Sequence, residues 1–146
     1  MVRMFVRTVA LLVWISILLT SLSFAAQPRS FAEICELDLI LEVSDTSDER
    51  YLGLSNREDL AEDEGMLFVF EEPGVYGFVM RNMNFPLDIL WLNSNYEVIH
   101  IVEDAQPEGP RPTKLYQPET PAQYVLEINA GLVADYDIQL GDQLKL

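Results

Sequence analysis

Residues 87–102 read LDILWLNSNYEVIHIV. Leu87–Leu92 reads as a strand, Asn93-Ser94-Asn95 is a turn signal, and Tyr96–Val102 returns to strand character. On the second arm Val98, His100 and Val102 share one face, while Glu97, Ile99 and Ile101 share the other. The pattern predicts a β-hairpin, and with it a mainly β protein.

Segments on either side extend the same reading. Leu37, Leu39, Leu41 and Val43 alternate with Asp38 and Glu42, as in a half-buried strand. Thr46-Ser47-Asp48-Glu49 has the spacing of a capping box, so a short helix is expected over residues 47–55. GMLFVF at 65–70 suits a buried strand, Glu71-Glu72-Pro73-Gly74 a turn, and residues 76–81 another strand. Five prolines between 103 and 121 exclude helix and interior strand there. QYVLEI at 123–128 is a strand, a helical piece follows Gly131, and residues 143–146 close the chain as a strand. The expected fold is a compact sandwich or barrel-like antiparallel sheet with one or two short helices. Met66, Leu67, Phe68, Phe70, Leu87, Ile89 and Leu126 are its expected core.

The N-terminus has a different composition. Arg3 and Arg7 precede an apolar run from Val9 to Leu19, and Ser23-Phe24-Ala25 gives the small-x-small pattern of a cleavage site. These features predict a signal peptide over residues 1–25 and an exported protein, periplasmic or extracellular. An uncleaved anchor over residues 2–22 is the alternative, and the only route to a membrane. Residues 26–36 are expected to be a linker, and 37–146 a single β-rich domain.

Charge narrows the function classes. The chain has 24 acidic and 9 basic residues. With Arg3 and Arg7 in the leader, seven bases face 24 acids in the rest, a net charge of −17. Such a surface repels phosphate backbones, which argues against nucleic acid as a partner. His100 and Cys35 are each the sole residue of their type. A nucleophilic triad or a zinc site would have to draw on them; Cys35 reads better as a buried packing residue, and His100 as a strand residue, solvent-facing or packed. Met66, Met80 and Met83 read as core rather than as copper ligands. Glu58-Asp59, Glu62-Asp63-Glu64 and Glu103-Asp104 read as solvated faces, without the spacing of a calcium loop. No metal or cofactor is expected.

In so acidic a chain the arginines are informative. Arg57 and Arg81 stand beside predicted turns, and Asn82 and Asp88 flank the Phe85-Pro86 bend. They form either structural pairs or a polar pocket for a small anionic or sugar-like ligand. The leading expectation is a non-catalytic binding or accessory module using Arg57, Arg81, Asn82 and Asp88. Two alternatives stand beside it: an enzyme using carboxylate acid-base chemistry at Asp88 and Glu127, or a protein-interaction domain using loop 103–121. The identity of any protein partner is not expected from sequence.

Several blocks recur together in one known family. Gly53-Leu54 with Arg57 and Leu60, GMLFVF at 65–70, FVMRN at 78–82, PLDI at 86–89, YVLEINAG at 124–131 and Gly141-Asp142 resemble the "domain of unknown function 192" family over nearly the whole chain from residue 37. The resemblance implies a compact β-rich fold in a small, often exported prokaryotic protein, and no settled activity. Ser55, Val79 and Met83 stand where the family pattern has Met, Trp and a small hydroxyl residue.

Overall fold

The structure, a computed structural model, describes residues 28–146. The predicted signal peptide and Ala26 lie outside the described residues. Six strands form one sheet: β1 (Arg29–Ile34), β2 (Leu37–Ser44), β3 (Glu64–Gly74), β4 (Leu87–Leu92), β5 (Val98–Ala105) and β6 (Ala122–Asn129). Their order is β1-β2-β3-β6-β4-β5. The protein is mostly β, as the sequence implies, with two short helices, α1 (Ser47–Leu52) and α2 (Leu132–Asp135). The sheet is mixed and does not close: β2 and β3 pair in parallel, and every other pair is antiparallel.

Local chemistry accounts for the elements. Cys35 and Glu36 both have positive φ, so β1 turns directly into β2 through a tight two-residue hairpin. The capping box forms: the Thr46 hydroxyl accepts from the Glu49 N–H at 3.3 Å, and the Glu49 carboxylate accepts from the Thr46 N–H at 3.1 Å. The helix stops at Leu52 rather than 55, because Gly53 takes φ 52° and its N–H bonds the Glu49 carbonyl. A side chain there would meet the Phe68 ring at 3.3 Å, in a backbone conformation L residues rarely adopt.

Apolar layers cover both sheet faces. On one, Leu39, Leu41, Leu67, Leu90, Leu126 and Ile128 pack under Val133, Ile138 and Leu144 of the C-terminal segment. On the other, Met66, Phe68, Ile89, Trp91 and Val125 pack under Leu54, Leu60, Met80, Met83 and Tyr116. Phe70, expected in the core, is half-buried at the margin of this second layer. Cys35 fits the packing reading: burial foremost, then its bond to Asp142 Oδ2 at 3.1 Å, pushes the thiol up to about 11.

Three segments differ from expectation. Residues 29–34, read as linker, form an edge strand whose Ala32 and Ile34 reach the core. Residues 76–81 form only isolated bridges, Phe78 with Tyr116 and Arg81 with Glu108. The Tyr76 carbonyl accepts the Trp91 indole N–H at 2.9 Å. Residues 143–145 likewise make only single bridges, Gln143 with Glu97 and Lys145 with Glu33. They tether the β1 edge to the β4–β5 hairpin at one end, but the sheet does not close into the barrel expected as one option. The proline-rich segment packs against the sheet, with Tyr116 and Pro118 buried.

Asp88 holds one end of this arrangement. It is fully buried on β4, and its oxygens accept the N–H groups of Asp104, Gly131 and Val133, each at 2.9 Å. One carboxyl thus fixes β5 and the start of α2 onto β4. Asparagine offers a single acceptor oxygen and leaves a buried N–H unmet, which costs about 1–3 kcal/mol. Asp88→Asn is therefore expected to lower the urea midpoint by that equivalent; an unchanged midpoint would show that the three bonds do not hold the end of the sheet.

Candidate functional site

A cleft of about 430 Å³ opens on the face of the second apolar layer, between α1 with its following turn and residues 76–83. Its walls carry Tyr51, Leu54, Phe70, Tyr76, Phe78 and Met83, and Phe68 and Glu127 of the sheet also line it. Aromatic packing shapes it: the Phe70 and Tyr76 rings stack at 3.5 Å, and Phe78 meets Phe68 edge-on at 4.8 Å.

Two guanidinium groups line the cleft. Arg81 lies over the Tyr51 ring at 4.0 Å and donates to the Tyr51 carbonyl at 2.5 Å. Arg50 lies over Phe70 at 5.1 Å and donates to the carbonyls of Asp45 and Val69. Among the described residues neither has a carboxylate within salt-bridge reach, whereas Arg29, Arg57 and Lys145 do.

Arg57 does different work. Its fork grips Glu42 with two bonds, Nη1 to Oε1 at 2.7 Å and Nη2 to Oε2 at 2.8 Å. Those bonds foremost hold the Glu42 carboxyl below its usual range and raise the guanidinium above its own. Glu42, Met66, Glu127 and Ile89 stand side by side across β2, β3, β6 and β4. Glu127 is 6 % exposed, and among the described residues no hydrogen bond reaches its carboxyl. Burial pushes it up to about 8, and the nearby Arg57 charge offsets only part of that.

The sequence-derived residues thus separate. Arg57 and Arg81 belong to one joint on one face, tied by Ser55 Oγ donating to the Arg81 carbonyl at 2.8 Å and by the Asn56 N–H donating to the Asn82 carbonyl at 2.8 Å. Arg81 alone of the four lines the cleft. Asn82, with φ 53°, lines a neighbouring hollow with Asn56, Asn84 and Glu108. Asp88 lies on the opposite face, because it pairs with Ile128 while Ile89 pairs with Glu127. Asp88 and Glu127 therefore do not share a site. Arg50, Tyr51 and Tyr76 were not singled out in the sequence; Arg50 lies in the capped helix, but only tertiary packing sets it beside Arg81.

Among the described residues no group of three His, Cys, Asp or Glu side chains is placed to hold a metal ion, and no helix is long and apolar enough to cross a membrane. Comparisons place the chain among proteins without assigned activity. The model of the DUF192 family, described as "Uncharacterized ACR", matches residues 32–146. A UPF0127 protein of Pyrococcus furiosus is 27 % identical over 117 residues, covering 75 % of this chain and 89 % of that protein. A crystal structure of a protein of unknown function from Novosphingobium aromaticivorans superposes with a TM-score of 0.77 at 29 % identity, over 85 % of this chain and 89 % of that one. A protein from Sinorhizobium meliloti, described as a candidate transcription regulator, superposes with a TM-score of 0.76 at 30 % identity, over 82 % and 95 %.

The Glu127 carboxyl gives a pH dependence with a definite sign. Its folded value, about 8, lies above its ordinary 4.5. Between the two, the folded state holds a proton that the unfolded state has released. The stability tied to the neutral carboxyl is whole below pH 4.5 and is lost as pH rises through 8. Glu127→Gln keeps the shape without the titration. Its stability relative to the parent, taken at pH 5 as reference, is expected to grow by on the order of 2–4 kcal/mol by pH 9. Denaturant melts at both pH values check this, and a constant difference would place Glu127 in water.

Proposed function

We propose that this chain, which belongs to the DUF192 family, is a binding protein for a small organic anion held in the cleft between α1 and residues 76–83. The observation that carries the reading is the pair Arg50 and Arg81. In a chain with so large an excess of acids, these two guanidinium groups line one cleft with no carboxylate partner among the described residues. Backbone carbonyls and aromatic faces hold both forks in place, and further N–H groups on each have no partner among the described residues. Such preorganised donors suit a carboxylate or phosphate, and the aromatic walls suit an apolar body attached to it.

The net charge of −17 beyond the leader weighs against the nucleic-acid contact that a transcription regulator makes. The basic, apolar and small-residue pattern of residues 1–26 supports export, so the ligand would be met outside the cytoplasm. A second reading has its own observation. A carboxyl held neutral near pH 7 at the cleft suits a general acid, and Glu127 is such a group. That reading requires turnover, not binding alone.

A thermal-shift and calorimetry panel of benzoate, hexanoate, phosphate and glucuronate against neutral sugars tests the proposal. The organic anions are expected to raise the melting temperature, and Arg81→Gln to weaken them by roughly 10–100-fold, the worth of one charge-assisted bond. Because Arg81 also braces α1, the melting temperature of the unliganded variant is measured alongside. Stabilisation by neutral sugars alone, or equal anion affinity in parent and variant, would sink the proposal.

A further inference from the structure

We infer that Glu127 sets the specificity of this cleft: its buried carboxyl offers a hydrogen bond to an uncharged oxygen acceptor on the bound anion, so that the favoured ligands carry an anionic head and, across an apolar span, a carbonyl oxygen. The inference rests on the anion-binding reading and adds the second half of the ligand to it.

Among the polar side chains lining the cleft, Glu127 is the buried one without a protein partner; Ser47 and Tyr51 also line it, but both are exposed. The Ser55 hydroxyl donates to the Arg81 carbonyl at 2.8 Å, and the Tyr76 hydroxyl donates to the Glu72 carbonyl at 2.5 Å. Arg50 and Arg81 are braced on carbonyls and face the anion. Leu54, Phe68, Phe78 and Met83 offer no strong donor. The Glu127 carboxyl remains, more than nine-tenths buried and lining the cleft, with no hydrogen bond from a described residue. The carboxyl meets the cleft rather than a protein partner, so a ligand acceptor there would take the place of water.

The surroundings keep the acid neutral. Its strand neighbours on the same face, Met66 and Ile89, are apolar. Arg57 is the positive group that acts on it, but its fork is occupied by Glu42, and Glu64 lies near the same arginine. Arg50 and Arg81 line the cleft from the α1 side and from residues 76–83, and Asp88 lies on the other face of the sheet. An ionised Glu127 would repel the anion that the two arginines attract. A neutral one adds a donor, and its shift to about 8 keeps it in that form at neutral pH.

A matched pair of probes tests this: heptanoate, with a carboxylate and an alkyl chain, and 6-oxoheptanoate, which adds a ketone near the far end. Calorimetry is run at pH 6.5 and 9.5 on the full chain and on Glu127→Gln and Glu127→Leu. In the parent at pH 6.5 the keto acid is expected to bind roughly tenfold tighter than heptanoate, the worth of one hydrogen bond to a buried donor. At pH 9.5 both are expected to weaken and the preference to vanish. Glu127→Gln, whose amide still donates, should keep the preference at both pH values. Glu127→Leu should bind heptanoate and lose the preference. Equal binding of the two probes by the parent, or a preference that survives in Glu127→Leu, would overturn the inference while leaving the anion site standing. If neither probe binds, the anion reading falls and this inference falls with it.

Discussion

A carboxyl on β4 or β6 must find partners or give up its charge, because both strands lie between two apolar layers. Each strand carries one, and the two solve the problem in opposite ways. Asp88 faces the layer under the C-terminal segment and accepts three backbone N–H groups. Glu127 faces the layer under α1 and residues 76–83 and accepts none from the described residues. The first carboxyl joins three pieces of chain into one end of the sheet. The second stands beside a cleft, pushed up to about 8 by its burial. Strand alternation keeps them apart: a shift of one residue in the β4–β6 register would set Asp88 opposite Glu127 and put both carboxyls on one face.

The same economy governs the cations. Arg57 is spent on Glu42, a pair that ties the turn after α1 to β2. Arg50 and Arg81 are fixed by carbonyls and rings instead, which orients them without neutralising them. A chain with this many acids could readily have supplied a carboxylate to each. Among the described residues both lack one, on a wall shared with Tyr51 and Phe70.

Much of the fold was legible in the sequence, and the reasons are local. GMLFVF at 65–70 is a continuous apolar run, and LDILWL at 87–92 is one broken only by Asp88, because their strands are covered on both faces. The Thr46–Glu49 box marks the helix start through bonds between residues three apart. Residues 29–34 were opaque because Arg29, Ser30 and Glu33 dilute the alternation that Ala32 and Ile34 carry. Residues 76–81 look like a strand by composition, but their partners are single residues of the distant proline-rich segment, Tyr116 and Glu108, which no local pattern announces. The parallel β2–β3 pair, which makes the sheet mixed, joins strands separated by residues 45–63, a crossover containing α1 that composition alone does not orient. The site was harder still. Arg57 and Arg81 meet at one joint, but Asp88 departs from it by strand parity, and Glu127 hides in YVLEI as one polar letter in an apolar run.

The claim on which the rest turns is that Glu127 is a neutral acid at the cleft. Carboxyl-carbon NMR of the unliganded protein, with Glu127→Gln used to assign the resonance, measures it directly. The expected midpoint is about 8, well above the ordinary 4.5. A midpoint in the ordinary glutamate range would mean that water or a cation solvates the carboxylate, and the cleft would then lack the neutral donor ascribed to it.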